Sequence, residues 1–264
     1  MADAGAAGTF DVADMTVNRL GFGAMRITGK GVWGGPPDRE KAKSVVRRAV
    51  ELGINLIDTA DSYGPETSEE LIAEALYPYP DDLVIATKGG LERSGPGRWH
   101  RNGQPEHLRA ACEGSLKRLR LERIDLYQLH APDPNVPIAE SLGELNALQN
   151  EGKIRHIGVS NFDIEQLAQA REMSTVVSVQ NRYNVEDRES EDVLEICERD
   201  GLGFIPWFPL GAGSVKDPKI ALAWLLHKSP AMLPIPGTAS IEHLEQNVAA
   251  ASIELSDEEL VEIG

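Results

Sequence analysis

The sequence predicts an α/β fold of the (β/α)8 TIM-barrel class, and three observations carry the prediction. Short apolar runs alternate with longer amphipathic segments along the whole chain. The runs are almost continuously apolar, as strands are when both faces of a parallel sheet are covered, and such alternation requires crossover helices. Eight units of this kind fit within 264 residues, close to the roughly 250 that a closed barrel uses. An open doubly wound sheet is the alternative, disfavoured by the number of units in this length. A single barrel domain over residues 1–264 is expected.

The elements run in order. "RLGFGAM" (19 to 25) reads as the first strand and residues 38 to 52 as the first helix. "INLID" (54 to 58) is the second strand; Leu71, Ile72, Ala75 and Leu76 then recur at helical spacing behind Thr67 and Glu70, placed as a capping box. "LVIATK" (83 to 88) precedes a helix marked by Leu108, Cys112, Ser115, Leu116 and Leu119, and "RIDLYQLH" (123 to 130) precedes one marked by Ile138, Leu142, Leu145 and Leu148. "IRHIGVSN" (154 to 161) leads to Ile164, Leu167 and Ala168, and "VVSVQ" (176 to 180) to residues 190 to 200. "GFIPWFP" (203 to 209), residues 218 to 227, "MLPIPG" (232 to 237) and residues 240 to 251 complete the set. Segments 29 to 37 and 89 to 103 read as long loops. "GFGAM" is not a dinucleotide fingerprint, because it has two of the three glycines and lies inside a strand.

Composition narrows the function. With 41% hydrophobic and 26% charged residues, the chain can bury a sizeable core. A net charge of -16 argues against nucleic-acid or anionic-membrane partners, which demand a basic face. An anionic cofactor would need local helix N-termini, backbone N–H groups or a few placed cations. Cys112 and Cys197 fall on apolar helix positions, as buried reduced thiols do. The first residues lack the basic and apolar regions of a signal peptide, and no run approaches a membrane span, so a cytoplasmic, monomeric enzyme is expected.

In a barrel of this class the active site lies where the strands end. Asp58 closes the second strand, Lys88 the third and His130 the fourth, with Tyr63 five residues beyond Asp58. Taken singly, each suits an ordinary structural role; together they suit proton transfer to a carbonyl. A lysine at the inner end of a buried strand needs a carboxylate partner. Tyrosine titrates near 10, and a neighbouring ammonium lowers that, making a better acid. A histidine N–H would meet the negative charge developing on a carbonyl oxygen. No His/Cys cluster has metal-binding spacing.

"DTADSYG", "ATKGG", "DLYQLH" and "HIGVSNF" occur in the order of the signatures of the aldo-keto reductase family, which the chain resembles from about Leu20 onward. The resemblance implies a catalytic tetrad of Asp58, Tyr63, Lys88 and His130 and an NADPH cofactor lying across the barrel mouth. It implies that Ser160, Asn161 and Gln180 hold the nicotinamide amide, that Trp207 stacks on the ring, and that Ala24, Met25, Asp58, Leu210 and Gly211 adjoin the cofactor. "IPGTASIEHLEQN" matches the adenosine-phosphate segment, through Gly237, Thr238, Ser240, His243, Gln246 and Asn247. Family members using NADPH often carry a lysine and an arginine there; Gly237 and His243 stand in their place, so NADH or dual use is an alternative.

"PLGAG" (209 to 213) runs into "SVKDPKIALAWLL" without room for the family's intervening helix, which is either deleted or, the preferred reading, a disordered segment absent from the sequence; Gly264 falls soon after the capping box Ser256 to Glu259, so the last helix and tail are expected to be short. Trp33 and Trp99, on the loops after strands one and three, are expected to wall an apolar pocket for an aromatic carbonyl. "GKGVWGGPP" and "QNRYNVEDRE" resemble the pyridoxal reductase branch, making pyridoxal the leading substrate. The alternative is a nucleotide-binding regulatory subunit of an ion channel with little turnover, as some members of the family are.

Overall fold

A computed structural model describes residues 2–211 and 217–263. A hairpin of β1 (Thr9–Val12) and β2 (Met15–Asn18) comes first. The barrel strands and their helices follow as β3 (Phe22–Gly23), α1 (Arg39–Glu51), β4 (Leu56–Asp58), α2 (Thr67–Leu76) and β5 (Val84–Gly89). A second hairpin, β6 (Leu91–Gly95) and β7 (Arg98–Arg101), interrupts the pattern before α3 (Pro105–Leu119). Then come β8 (Ile124–Leu129), α4 (Ile138–Asn150), β9 (Ile154–Ser160), α5 (Ile164–Met173), β10 (Val176–Gln180), α6 (Glu191–Asp200), β11 (Gly203–Phe204), α7 (Pro218–Lys228), α8 (Ile241–Ala249) and α9 (Asp257–Ile263).

Seven strands pair in parallel in the order β11-β10-β9-β8-β5-β4-β3. The eighth position is taken by the segment around Met232, which bonds both edges: Leu233 N–H donates to Phe204 O at 2.8 Å, and Gly21 N–H to Pro234 O at 3.0 Å. Pro234 and Pro236 have no N–H to give, so this segment closes the barrel without becoming a regular strand. Closure is tight. A Cβ on Gly237 would lie 2.6 Å from Gly23 O, and one on Gly23 2.6 Å from Ile235 O, so neither position tolerates a side chain.

Strand parity positions the site. One face of the strands carries Leu56, Val84, Ala86, Leu126, Ile205, Leu233 and Ile235, which form the barrel interior with Val12, Met15 and Val17 of the first hairpin. Two residues further along the same parity stand Asp58, Lys88 and Gln128, joined by Gln180 of β10 beyond the register shift that follows Val176, and all four are buried. The opposite parity, including Ile57, Ile85, Tyr127 and Ile157, packs outward under the helices. An apolar plug thus supports a polar layer at the strand ends, and each fully buried Leu or Ile in it contributes roughly 2 kcal/mol.

Several local expectations are met and several corrected. In α1, Asp38 caps the helix by accepting from Lys41 N–H, and Ala42, Val45, Val46 and Ala49 form its buried stripe. The capping box of α9 forms: Ser256 N–H donates to Glu259 Oε2, and Glu259 N–H to Ser256 Oγ. Both cysteines are buried and unpaired, with burial pushing each thiol up to about 12. Thr67 does not cap α2; Glu66 precedes the helix with φ 68°, and the Thr67 hydroxyl donates back to Gly64 O. The segment 89–103 is a hairpin rather than a loop, concealed in the sequence because most of its residues are polar and exposed. The crossover from β11 to the eighth segment is α7, opened by Asp217 as cap and Pro218 in its first turn. The expected shortening after Gly213 falls on residues 212–216, outside the described residues.

Candidate active site

Asp58 and Lys88 meet because register demands it. Asp58 pairs with Ala86, and Lys88, two residues on, pairs with Gln128 on the far side, so all three side chains enter the same polar layer. The Lys88 ammonium donates to Asp58 Oδ1 at 2.7 Å and to Thr59 O at 2.8 Å. Asp58 Oδ2 accepts from Gln180 Nε2 at 2.7 Å and Gln128 Nε2 at 3.2 Å. Burial pulls the lysine pKa down, but Asp58 and Tyr63 beside it together more than offset this and the net shift is upward, so the ammonium stays charged.

Tyr63 lies over this pair, on the loop between β4 and α2, with its ring centroid 5.1 Å from the Lys88 nitrogen. The expected lowering of the tyrosine pKa is corrected. Burial raises it and outweighs the downward pull of Lys88, while Asp58 and Asp61 add to the rise. In this environment Tyr63 is a firmly protonated phenol. His130 follows β8, and its ring meets the Tyr63 ring edge-on at 5.8 Å. Burial first, then Lys88 and Arg93, hold its pKa well below the ordinary value, so the imidazole is neutral. Its carbonyl accepts from Asn161 Nδ2 at 2.9 Å.

These groups form the floor of a cavity of about 700 Å³. Met25, Asp58, Tyr63, Trp99, His130, Ser160, Asn161, Gln180, Trp207, Leu210, Gly237 and Thr238 line it together. Lys88 stands immediately behind, fully buried. Asn161 has φ 62°, held by its N–H on Gln180 O, and its side-chain oxygen accepts the Trp207 indole N–H at 3.1 Å. The Trp207 ring is thereby fixed at the wall. Gln180 faces the cavity with its amide nitrogen already engaged on Asp58.

Other expected residues lie outside the cavity wall. Ala24 is buried, its carbonyl accepting from Ser68; Gly211 closes a turn onto Phe208. Ser240 caps α8 by accepting from His243 N–H, His243 and Gln246 are exposed on that helix, and Asn247 is buried. Trp33 is held on Gly64 at the rim. Three contributors were missed in the sequence. Gln128 is a polar residue inside an apolar run, and its parity with Leu126 and His130 was the signal that could have found it. Arg26 lines the cavity, and a Cβ on Gly237 would lie 3.4 Å from Arg26 Cγ, so its side-chain stem runs beside the strand closure. Arg93 packs 3.6 Å over the Trp99 ring. Among the described residues no cluster of three or more His, Cys, Asp or Glu could hold a metal.

The chain is matched by the sequence profile of the Aldo/keto reductase family over residues 19–219 and 214–264. The chain belongs to that family. As a member it is an oxidoreductase acting on carbonyl groups. It is 50% identical over 272 positions to an uncharacterized oxidoreductase of Schizosaccharomyces pombe, across 97% of this chain and 89% of the relative. It is 40% identical over 274 positions to the pyridoxine 4-dehydrogenase of Escherichia coli, across 96% of each. Among solved structures, the glycerol dehydrogenase of Gluconobacter oxydans superposes with a TM-score of 0.88 at 29% identity, covering 97% of this chain and 94% of that one. An aldo/keto reductase of Klebsiella pneumoniae, solved in complex with NADP and acetate, has a TM-score of 0.79 at 30% identity, covering 94% and 90%. No helix among the described residues of this family member is long and apolar enough to cross a membrane.

Proposed function

We propose that the chain reduces an aldehyde or ketone to the alcohol with NADPH, and that its leading substrate is pyridoxal or another aromatic aldehyde. One observation carries the reading: a buried, carboxylate-paired ammonium lies beside the Tyr63 phenol at the floor of the cavity. The Tyr63 hydroxyl donates a proton to the carbonyl oxygen. Lys88 stabilises the phenolate left behind, Asp58 keeps Lys88 charged and aimed, and the His130 N–H fixes the carbonyl.

The cavity suits an extended nicotinamide nucleotide by its donor set. Ser160, Asn161 and Gln180 bring hydroxyl and amide groups to one end, with the Trp207 ring as a flat wall beside them. Thr238 and Arg26 line the other end, where the Arg26 guanidinium would meet an anion. Arg26 provides the local cation that a chain of net charge -16 needs for a cofactor phosphate. When bound, the reduced nicotinamide supplies the hydride. The aromatic substrate is supported by Trp99, which meets Tyr63 edge-on at 6.2 Å, and by the relationship to a pyridoxine 4-dehydrogenase.

NADPH oxidation followed with pyridoxal, benzaldehydes and short aliphatic aldehydes tests the reading. Turnover is expected to be fastest with the aromatic compounds. Tyr63→Phe should lower kcat by about a thousandfold, in the range of a lost general acid, with NADPH affinity unchanged. Nucleotide binding without turnover on any carbonyl would overturn the enzyme reading in favour of a binding module.

A further inference from the structure

Among the buried polar side chains at the strand ends, Gln128 is one that the proposed chemistry has not used. It is fully buried on β8 and stands behind the cavity rather than in its wall. Its amide nitrogen donates to Asp58 Oδ2 at 3.2 Å, and its amide oxygen accepts from Gln180 Nε2 at 3.5 Å. Gln180 Nε2 donates to the same Asp58 oxygen at 2.7 Å, while Asp58 Oδ1 takes the Lys88 ammonium at 2.7 Å. A carboxylate only accepts, so both glutamines must present nitrogen to Asp58, and the three side chains have one consistent set of orientations.

Room for Gln128 comes from Gly158. That glycine pairs with Gln128 on one side and with Ser178 on the other. A Cβ there would lie 2.9 Å from Gln128 Cγ and 2.5 Å from Ser178 Oγ, so the missing side chain leaves the space that the glutamine stem fills.

We propose that Gln128 is a positioning residue for carbonyl reduction: it fixes the Asp58 carboxylate, and thereby the direction in which the Lys88 ammonium presents its free proton to Tyr63. The inference rests on the carbonyl-reductase reading. An ammonium has three N–H groups. Two of them are spent on Asp58 Oδ1 and Thr59 O, so the aim of the third follows from where those two acceptors stand. The Tyr63 ring lies over the same nitrogen, 5.1 Å away. Rotation of the carboxylate would shift Oδ1 off the lysine, and two amides on Oδ2 oppose that turn. Gln180 lines the cavity, where a ligand competes for its amide; Gln128 meets no ligand and is the constant hold.

Steady-state assays with NADPH and an aromatic aldehyde, beside NADPH affinity from fluorescence titration, test the assignment. Gln128→Leu is expected to lower kcat about a hundredfold, the scale of a small misplacement at a reacting group, with KM and NADPH affinity nearly unchanged. Gln128→Glu keeps the shape and, as the neutral acid, the polarity: its O–H donates to Asp58 Oδ2 and its carbonyl accepts from Gln180. Burial and the facing Asp58 favour that neutral form, and Lys88 opposes them. Its kcat should therefore stand near the wild-type value at about pH 6 and fall toward that of Gln128→Leu by about pH 9, as the acid ionises and can no longer donate. Gly158→Ala in a Ser178→Ala background displaces the Gln128 stem without altering its chemistry and should lower kcat in step with Gln128→Leu. An unchanged kcat in Gln128→Leu, or a Gln128→Glu profile parallel to the wild type at every pH, overturns the role. Urea denaturation supplies a readout without turnover. In Asp58→Asn the amide oxygen stays on Lys88 and its nitrogen replaces the acceptor of Gln128, so the midpoint losses of Asp58→Asn and Gln128→Leu should be less than additive in the double variant. Additive losses overturn the hold on Asp58. Non-additive losses in a protein that turns over no carbonyl would overturn the reductase reading and support that hold.

Discussion

The guanidinium of Arg93 rests 3.6 Å from the centre of the Trp99 ring. It also donates to the carbonyls of Gly31, Val32, Ser62, Gly95 and Arg98, which occupies all five N–H groups of an arginine and ties the loops after β3 and β4 to the second hairpin. Arg93→Met removes this tie. The KM for aromatic aldehydes is expected to rise about tenfold, the equivalent of roughly 1.4 kcal/mol of lost wall contact, with kcat for the smallest aldehydes nearly unchanged. Equal losses for all substrates in steady-state assays would show that Arg93 does not act through Trp99.

The buried Lys88–Asp58 pair makes an asymmetric prediction about stability. Removing one partner leaves an uncompensated charge or carboxylate in the barrel, so Asp58→Asn and Lys88→Met should each cost about 3–5 kcal/mol in urea denaturation. The double variant should cost less than the sum of the two. Additive losses would mean that the pair does not interact as its geometry implies.

Asp61 links stability to pH with a definite sign. Its folded carboxyl is raised to about 8, so between the unfolded value near 4 and that figure the folded chain holds a proton that the unfolded chain has lost. Stability contributed by this group is therefore full below about pH 4 and declines as pH rises to about 8, at up to ~1.4 kcal/mol per pH unit. Asp61→Asn should flatten that decline, making the variant relatively more stable at pH 8 than at pH 4. Parallel stability–pH curves for the two proteins would refute it.

Arg26 should discriminate between the two nicotinamide cofactors. Arg26→Ala is expected to weaken NADPH binding about tenfold, the loss of a charge-assisted contact, and NADH binding much less, as measured by fluorescence titration. Equal weakening would place the guanidinium on a phosphate common to both cofactors.

Much of this was legible in local pattern. Ile57, Ile85 and Ile157 marked strands through apolar continuity, the α1 stripe showed helical period, and Asp58, Lys88 and His130 announced themselves as polar residues ending apolar runs. Less visible were contributions that depend on closure. Arg26 is 211 positions from Gly237, the residue its Cγ approaches. The second hairpin has polar strands that give no period-2 apolar alternation.

The order of elements, the parity of each strand and the chemical types at the strand ends belong to the sequence by itself, because backbone geometry turns residue spacing into facing direction without reference to distant parts of the chain. The protonation of Tyr63, the neutrality of His130, the clamp made by Arg93 and the Arg26 stem brought to Gly237 were decided only by the tertiary structure. Those properties depend on burial and on charges arriving from other strands, and desolvation and Coulomb energy follow distance through space, whatever the separation along the chain.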